Sequence, residues 1–435
     1  MPATDPHHDP RQALHRTIEA VWRIESARVI AGLTRLTRDV GLAEDLAQGA
    51  LVAALEQWPK SGVPDNPAAW LTATAKRRAI DMFRRNAVAD RKHQELGREL
   101  EALEQTSPDL DSTLDNPISD DLLRLVFIAC HPILPPESRA ALTLRLLGGL
   151  TTDEIARAFL TAESTIAQRI VRAKRTLAEK HIPFEVPRGP ELATRLSSVL
   201  EVIYLVFNEG YSATAGDDLM RPALCEDALR LGRILAELTP TEPEVHGLVA
   251  LMEIQSSRTR ARVTSTGEPV LLFNQNRAQW DQLLIRRGLA AIERAHKINA
   301  TRGRYLLQAE LAACHARART PSETDWPRIV LLYTELAQLT PSPVIELNRA
   351  VAVSMAHGPQ AGLDALDQAA SSGGFSALAG YHLFPSVRGD LLMKLGRFTE
   401  AHDEIQRAIE MTKNLREQEL LTARLKQIEK AGSQG

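Results

Sequence analysis

The sequence predicts an all-α protein, and three observations carry that reading. Apolar residues recur at three- and four-residue spacing along almost every long segment. Strict apolar–polar alternation with β-branched residues is nearly absent; "ARVTSTGEPVLLF" (261–273) is the one stretch that reads as extended or strand-like. Proline-rich breaks separate the helical segments: "EQTSPDLDSTLDNPISD" (104–120) is rich in acids as well, and "HIPFEVPRGP" (181–190) carries three prolines. These breaks divide the chain into 1–92, an acidic linker over 93–118, 119–183 and 190–435.

Length and composition bound the class. A chain of 435 residues suggests two to four domains, with 44% hydrophobic and 25% charged residues, as in globular proteins with a real core. No apolar run approaches the ~18 residues that span a membrane. The start "MPATDPHHDPRQ" lacks the charged and apolar blocks of a secretory signal. Cys130, Cys225 and Cys314 are isolated, which argues against a disulfide scaffold or a zinc site and fits a reducing cytoplasm. No cofactor, metal or membrane partner is expected.

The net charge of −3 hides a local pattern. Residues 76–92 hold seven Lys/Arg against Asp81 and Asp90, a net of +5. Residues 93–121 hold nine acids against Arg98, a net of −8, and residues 163–180 carry a net of +3. Any one such run is most simply a solvated face. Two basic stretches flanking an acidic one also fit a nucleic-acid partner, with the linker screening the basic helix in the free protein.

In the N-terminal block the spacing predicts a helix over 41–58, a Pro/Gly/Asn loop "PKSGVPDNPAAW" (59–70), and a basic helix over 68–85. Trp70, Leu71, Ala75, Ile80 and Phe83 serve the core there, leaving Lys76, Arg77, Arg84 and Arg85 exposed. In the middle block, Thr151 and Glu154 have the spacing of a capping box. They open a helix over 152–159, and a second follows over 163–178. Ile166, Ile170, Ala173 and Leu177 form the apolar stripe of that second helix; Ser164, Thr165, Gln168, Arg169 and Arg172 occupy the other face. Two helices joined by so short a turn match a helix-turn-helix, whose second helix fits the DNA major groove. Gln168 and Arg169 suit base edges, while Arg172, Lys174 and Arg175 suit phosphates.

The C-terminal block reads differently. "LLMKLGRFTEAHDEIQRAIEM" (391–411) places Leu395, Gly396, Ala401, Ile405, Ala408 and Ile409 as in a tetratricopeptide unit, and 343–369 echoes it weakly. A helical array and a plain helical bundle both satisfy that pattern.

The order of these parts resembles the extracytoplasmic-function sigma factors of bacterial RNA polymerase. "DVGLAEDLAQGALVAALEQWP" (39–59) with "NPAAWLTATAKRRAIDMFRR" (66–85) is similar to their region two, and "LTTDEIARAFLTAESTIAQRIVRAKRTL" (150–177) to their region four. The long C-terminal part is similar to the tetratricopeptide-like extension of one subgroup. The resemblance implies three parts: a sigma region-two domain, a helix-turn-helix region-four domain and a helical solenoid. It implies core RNA polymerase (the β′ clamp and the β flap) and promoter DNA as partners. Asp39, Glu44, Asp45, Leu46 and Gln48 match the helix that docks on the clamp. Ser61, Asp65 and Asn66 match the loop that captures a base flipped from the −10 element; Lys76, Arg77, Arg78, Arg84 and Arg85 match the helix along the melting duplex. Ser164, Thr165, Gln168, Arg169 and Arg172 match the helix that enters the groove at the −35 element, with Lys174 and Arg175 on phosphates. Gly49 departs from the family, which usually has an acid there, and Ala162 replaces a common Ser cap.

The implied function is a promoter-specificity subunit without catalytic chemistry. The alternatives are a helix-turn-helix regulator with a sensory solenoid, and an enzyme or scaffold acting through its C-terminal half. A regulator has no need of a docking helix joined to a basic strand-opening helix over 39–85. For an enzyme, "YLVFNEGYSAT" (204–214) offers Asn208, Glu209 and Tyr211 in an expected loop, with Cys130, His131, Cys314 and His315 in two "ACH" repeats. No nucleophile, base and oxyanion donors converge. The cysteines are expected to pack, the histidines to make structural hydrogen bonds, and Trp280 and Trp326 to fill helix contacts. The extension, 246 residues from 190 to 435, is expected to be a built-in regulator that replaces a separate anti-sigma protein and receives a regulatory protein or ligand.

Overall fold

The structure, a computed structural model, describes residues 10–87, 115–159, 161–211, 220–264, 270–299, 301–371, 383–412 and 415–432. Among these residues the regular elements are all helices. The acidic linker, apart from its last few residues, lies outside the described residues. The chain forms two compact units, Met1–Thr239 and Pro240–Gly435.

The first unit opens with α1 (Pro10–Thr37), α2 (Val40–Ser61) and α3 (Pro67–Ala87), which pack on one another. Ile18, Val29, Ile30 and Leu33 of α1 meet a helix face rich in alanine on α2, closed by Trp58, and Leu71, Ala75 and Phe83 of α3. Small residues let the α2 backbone come close, and the large apolar side chains fill what remains. Both helices match the sequence prediction within three residues. Asp39 caps α2 by accepting from the Leu42 N–H at 3.0 Å. Asn66 caps α3 by accepting from the Ala69 N–H at 3.0 Å.

Next come α4 (Asp115–Ala129), α5 (Pro136–Leu146), α6 (Thr152–Ala158) and α7 (Glu163–Glu179). Helix α4 begins inside the stretch expected to be linker. The capping box at Thr151 and Glu154 is formed in both directions. Gly149, at φ +70°, turns the chain into it; a Cβ there would lie 3.2 Å from the Arg23 Cα on α1, so only glycine lets the two backbones approach.

The sequence places the start of the extension at Pro190, but the first unit continues to Thr239 through α8 (Pro190–Tyr211) and α9 (Pro222–Leu238). Leu122, Val126 and Leu147 share one apolar seam with Val199, Ile203, Leu231 and Leu235. Polar groups reinforce it. Arg195 donates to the Phe127 carbonyl at 2.9 Å, Ser198 to the Cys130 carbonyl at 2.6 Å, and Arg230 to the Gly148 carbonyl at 3.0 Å. The loop expected over 204–214 is helical through Tyr211, which stacks on Phe207 at 5.6 Å. Polar Asn208 and Glu209 suggested a break, but Glu209 is buried against Arg221 and the helix persists.

His131 tests this seam. Its Nδ1 accepts from the Ile133 N–H at 3.1 Å, and burial, with Arg195 nearby and Glu191 opposing, pushes its pKa down to about 4. The folded state holds it neutral while the unfolded chain titrates near 6.5, so stability is full above that value and lost as pH falls toward 4. Lowering the pH from about 7 to about 5 should cost about 1 kcal/mol after solvent screening. Thermal melts of His131→Gln against the parent should show that component missing.

The second unit stacks helical hairpins. Helix α10 (Pro243–Ser256) is buried along nearly its whole length, packed between α11 (Gln282–Ile298) and α12 (Arg304–Arg317). Glu244 caps α12 from a distance, accepting from the N–H groups of Tyr305 and Leu306. Then follow α13 (Trp326–Leu339), α14 (Pro343–His357), α15 (Pro359–Ser371), α16 (Leu383–Lys394), α17 (Phe398–Met411) and α18 (Leu415–Gly432). In the segment read as a tetratricopeptide unit, Gly396 turns the chain at φ +76°, and Ala401, Ile405 and Ala408 are fully buried. Of the stretch expected to be extended, 261–273, residues 265–269 lie outside the described residues, and Val263 makes an isolated bridge rather than part of a regular strand. The Val270 N–H closes a turn on the Arg262 carbonyl at 2.7 Å, and Leu272–Asn274 is a 3-10 turn. Trp280 is buried beneath the Arg258 and Arg277 guanidiniums, and Trp326 packs between Phe273 and His315, as packing residues do.

Candidate polymerase and nucleic-acid interface

Three helices of the first unit carry the predicted site residues. On α3, Lys76, Arg77, Arg78, Arg84 and Arg85 are all exposed. Arg78 folds back over α2, where a Cβ on Gly49 would lie 2.8 Å from its guanidinium. The missing side chain at Gly49 is therefore the seat of Arg78. Lys76 titrates below the usual lysine range, first through crowding around its side chain and then through Arg35. Arg35 itself reaches Asp121 at 3.3 Å. The loop between α2 and α3 is held by Trp58 and Trp70, edge to face with centroids 5.4 Å apart. On it Asp65 is exposed; Asn66 is engaged as a cap, and Ser61 donates to the Gln57 carbonyl at 3.1 Å.

On α7 the predicted stripe is buried: Ile166, Ile170, Ala173 and Leu177 all face inward. Ser164, Gln168, Arg172 and Arg175 are exposed along the opposite side, and Thr165 and Arg169 are half-buried at its flanks. Arg175 pairs with Glu179 one turn on, at 2.6 Å. Ala162 starts the helix with no side-chain cap. Val171, which sequence reasoning missed, stands 62% exposed in the middle of this polar face. Its signal was positional: it lies outside the Ile166/Ile170/Ala173 stripe.

On α2 the predicted docking residues separate. Leu46 is buried in the core, and Asp39 serves as the helix cap. Asp45 is exposed, and about two and three turns further along the same side Val52 is 51% exposed and Glu56 is exposed. Glu44 is only 2% exposed. Its carboxylate takes Arg145 at 2.6 Å, the Lys174 ammonium, and the Gln48 amide at 2.5 Å. Arg145 in turn donates to the Leu150 carbonyl at 3.1 Å, just ahead of the helix-turn-helix. The structure thus joins a residue expected to dock polymerase with one expected to touch DNA. Arg23 of α1 adds a second tie, meeting Glu154 of the capping box at 2.9 Å.

Of the residues considered for catalysis, Cys130, His131, Asn208, Glu209 and Tyr211 belong to the first unit and Cys314 and His315 to the second. Cys130 and Cys314 are buried, and desolvation pushes both thiols up to about 11, which keeps them protonated. His315 is pushed down to about 4 by burial, with Arg258 and Arg277 adding to it. Among the described residues no group of three or more His, Cys, Asp or Glu is placed to hold a metal ion, and no helix is long and apolar enough to cross a membrane.

Comparison with known proteins follows this division. The family "Sigma-70 region 2" matches residues 23–88, "Sigma-70, region 4" matches 124–177, and a family of unknown function, DUF6596, matches 195–296. An uncharacterized protein of Rhizobium meliloti (strain 1021) is 42% identical over 393 residues, covering 90% of each chain. A probable ECF RNA polymerase sigma factor SigI of Mycobacterium tuberculosis is 26% identical over 42% of this chain and 61% of its own length. An ECF RNA polymerase sigma factor SigK of Mycobacterium sp. (strain KMS) is 28% identical over 37% of this chain and 82% of its own. No solved structure matches the chain. Both sigma regions in order, and a long helical extension behind them, make this chain an extracytoplasmic-function sigma factor that serves transcription initiation.

Proposed function

We propose that this sigma factor seats core RNA polymerase at particular promoters through three surfaces of its first unit, as a cytoplasmic binding subunit without catalytic chemistry. The side of α2 with Asp45, Val52 and Glu56 docks the β′ clamp: an apolar residue between carboxylates suits a basic helical partner. The cations of α3, with Asp65 on the adjoining loop, follow the −10 strand as it opens. The exposed face of α7 enters the major groove at the −35 element, and this face carries the proposal. Ser164, Gln168 and Arg172 supply donors and acceptors, and Val171 supplies an apolar contact for a thymine methyl. Region four also meets the β flap.

The extension acts as the regulator of region four. Its second helix, α9, lies within the DUF6596 match, and Arg230 on it and Arg221 at its N-cap donate to the carbonyls of Gly148, ahead of helix α6, and Ala158, at that helix's end. Engagement of polymerase by Glu44 requires its pairs with Arg145 and Lys174 to open first.

Run-off transcription with purified core polymerase tests the reading: the full chain should initiate from a promoter taken from its own genomic binding map. Gln168→Ala and Arg172→Ala should each lower promoter binding by about 1–3 kcal/mol, roughly 5- to 150-fold, with core-polymerase binding unchanged. Arg169→Ala should cost less, because that residue is half-buried at the flank. Equal losses of promoter and core binding would point to misfolding and defeat the assignment of α7.

A further inference from the structure

The second unit carries a cationic face that the sigma regions do not explain. On α11, Ile285, Gly288, Ala291, Ile292 and Ala295 are buried, and a Cβ on Gly288 would lie 2.5 Å from Ile254 on α10. The helix is therefore seated tightly and presents its other side rigidly. That side bears Arg286, Arg287, Arg294 and Lys297, all exposed. At 100° per residue the four fall within an arc of about 100° and span about 16 Å along the axis. None of the four has an ion-pair or hydrogen-bond partner among the described residues. Glu293 at the edge of the arc is its one acid, and it pairs with none of them.

Several exposed arginines elsewhere are handled differently. Arg157 pairs with Asp153, Arg175 with Glu179 and Arg397 with Glu400, each within one helical turn. A helix kept merely soluble is built like α17, where Glu400, Asp403, Glu404 and Glu410 accompany Arg407. Unpaired cations on a shared helix face recur on α3, with Lys76 and Arg77, and on α7, with Arg169 and Arg172. Those are the helices of the two sigma regions. Helix α11 repeats their electrostatics in the other unit.

We infer that this face of α11 is a second, sequence-independent nucleic-acid surface, lying along the phosphates of one strand of duplex DNA. The inference rests on the promoter-binding reading of the first unit, which brings DNA within reach of the tethered second unit at high effective concentration. Phosphates recur every 3.4 Å of axis on each strand, so a row of about 16 Å faces roughly five of them. The face has no Ser, Asn or Gln inside the arc to read base edges, unlike α7. An acidic protein partner would need an apolar anchor at the centre, and the centre here is Ala290; Leu283 and Ile298 lie only at the two ends.

The test measures the full chain on a promoter duplex and on a scrambled duplex across a salt series. Replacing the four cations together (Arg286→Gln, Arg287→Gln, Arg294→Gln, Lys297→Gln) should weaken both duplexes alike, by at least about tenfold near 0.1 M salt. The slope of log K against log salt should fall by about 3. Changing the three arginines to lysine instead should restore most of the affinity, because phosphate contact follows charge. An unchanged slope and affinity in a variant with the parental thermal melt would overturn the proposal. So would loss of core-polymerase binding with DNA binding intact, which would give the face to a protein. Arg172→Ala on the same duplexes keeps the two readings apart: if it leaves the promoter preference untouched, the α7 assignment fails whatever α11 does.

Discussion

A chain ending at Thr239 should fold as a monomer with a cooperative melt, whereas one ending at Arg188 should aggregate or melt without cooperativity. The shorter chain keeps both sigma regions, so the sequence alone recommends it as the minimal factor. The structure argues against it. Helices α8 and α9 bring Leu196, Val199, Ile203, Val206, Phe207, Leu231 and Leu235 into the core of the first unit, and they cover Phe127, Cys130 and Leu147 of region four. Returning a buried side chain of this kind to water costs about 1.5–3 kcal/mol. Uncovering three or four of them consumes most of the roughly 5–15 kcal/mol that holds a domain folded. Light scattering, dye binding and a thermal melt of the two chains decide the matter, and equal stability would show that α8 and α9 are dispensable. The consequence for regulation is direct. Loss of transcription by the chain ending at Arg188 would report unfolding, and only the chain ending at Thr239 asks what the second unit contributes.

The local parts of this architecture were legible because their causes are local. The capping box at Thr151 and Glu154, the stripe Ile166–Ile170–Ala173–Leu177 and the exposed cations of α3 depend on spacing within one or two helical turns. The unit boundary was not legible. Prolines at 183, 187 and 190 mark where a helix must stop, but membership of a core is decided by where the apolar face of the next helix lands. The pairing of Glu44 with Arg145 was equally hidden, since 101 residues separate the partners and Glu44 already had a docking role to offer. Val52 and Val171 were missed for the opposite reason. An apolar residue in a helix reads as core until its neighbours on the same side prove to be exposed.

Glu44→Ala should lower the melting temperature of the full chain's first unit by about 6–12 °C, the equivalent of about 3 kcal/mol for a body of this size. The argument is one of imbalance. Arg145 and Lys174 are each only 20% exposed, and both are neutralised by a carboxylate that is itself shut away from water. Removing the carboxylate leaves two cations facing each other in a half-buried space, where water screens them poorly. Glu44→Gln keeps an oxygen for Arg145 and should cost less. In a Lys174→Met background, Glu44→Ala should cost clearly less than in the parent, because one of the stranded charges is gone; strict additivity would show that Lys174 and Glu44 do not act together. The same change carries a gain. Freed from Glu44, Lys174 can neutralise a phosphate, so the salt slope of duplex binding should steepen by about 1 in Glu44→Ala and not in the double variant. A lower melting temperature with an unchanged slope would confine Glu44 to stability. Both effects together would mean that one carboxylate holds the docking helix and the reading helix in each other's service until larger partners claim them.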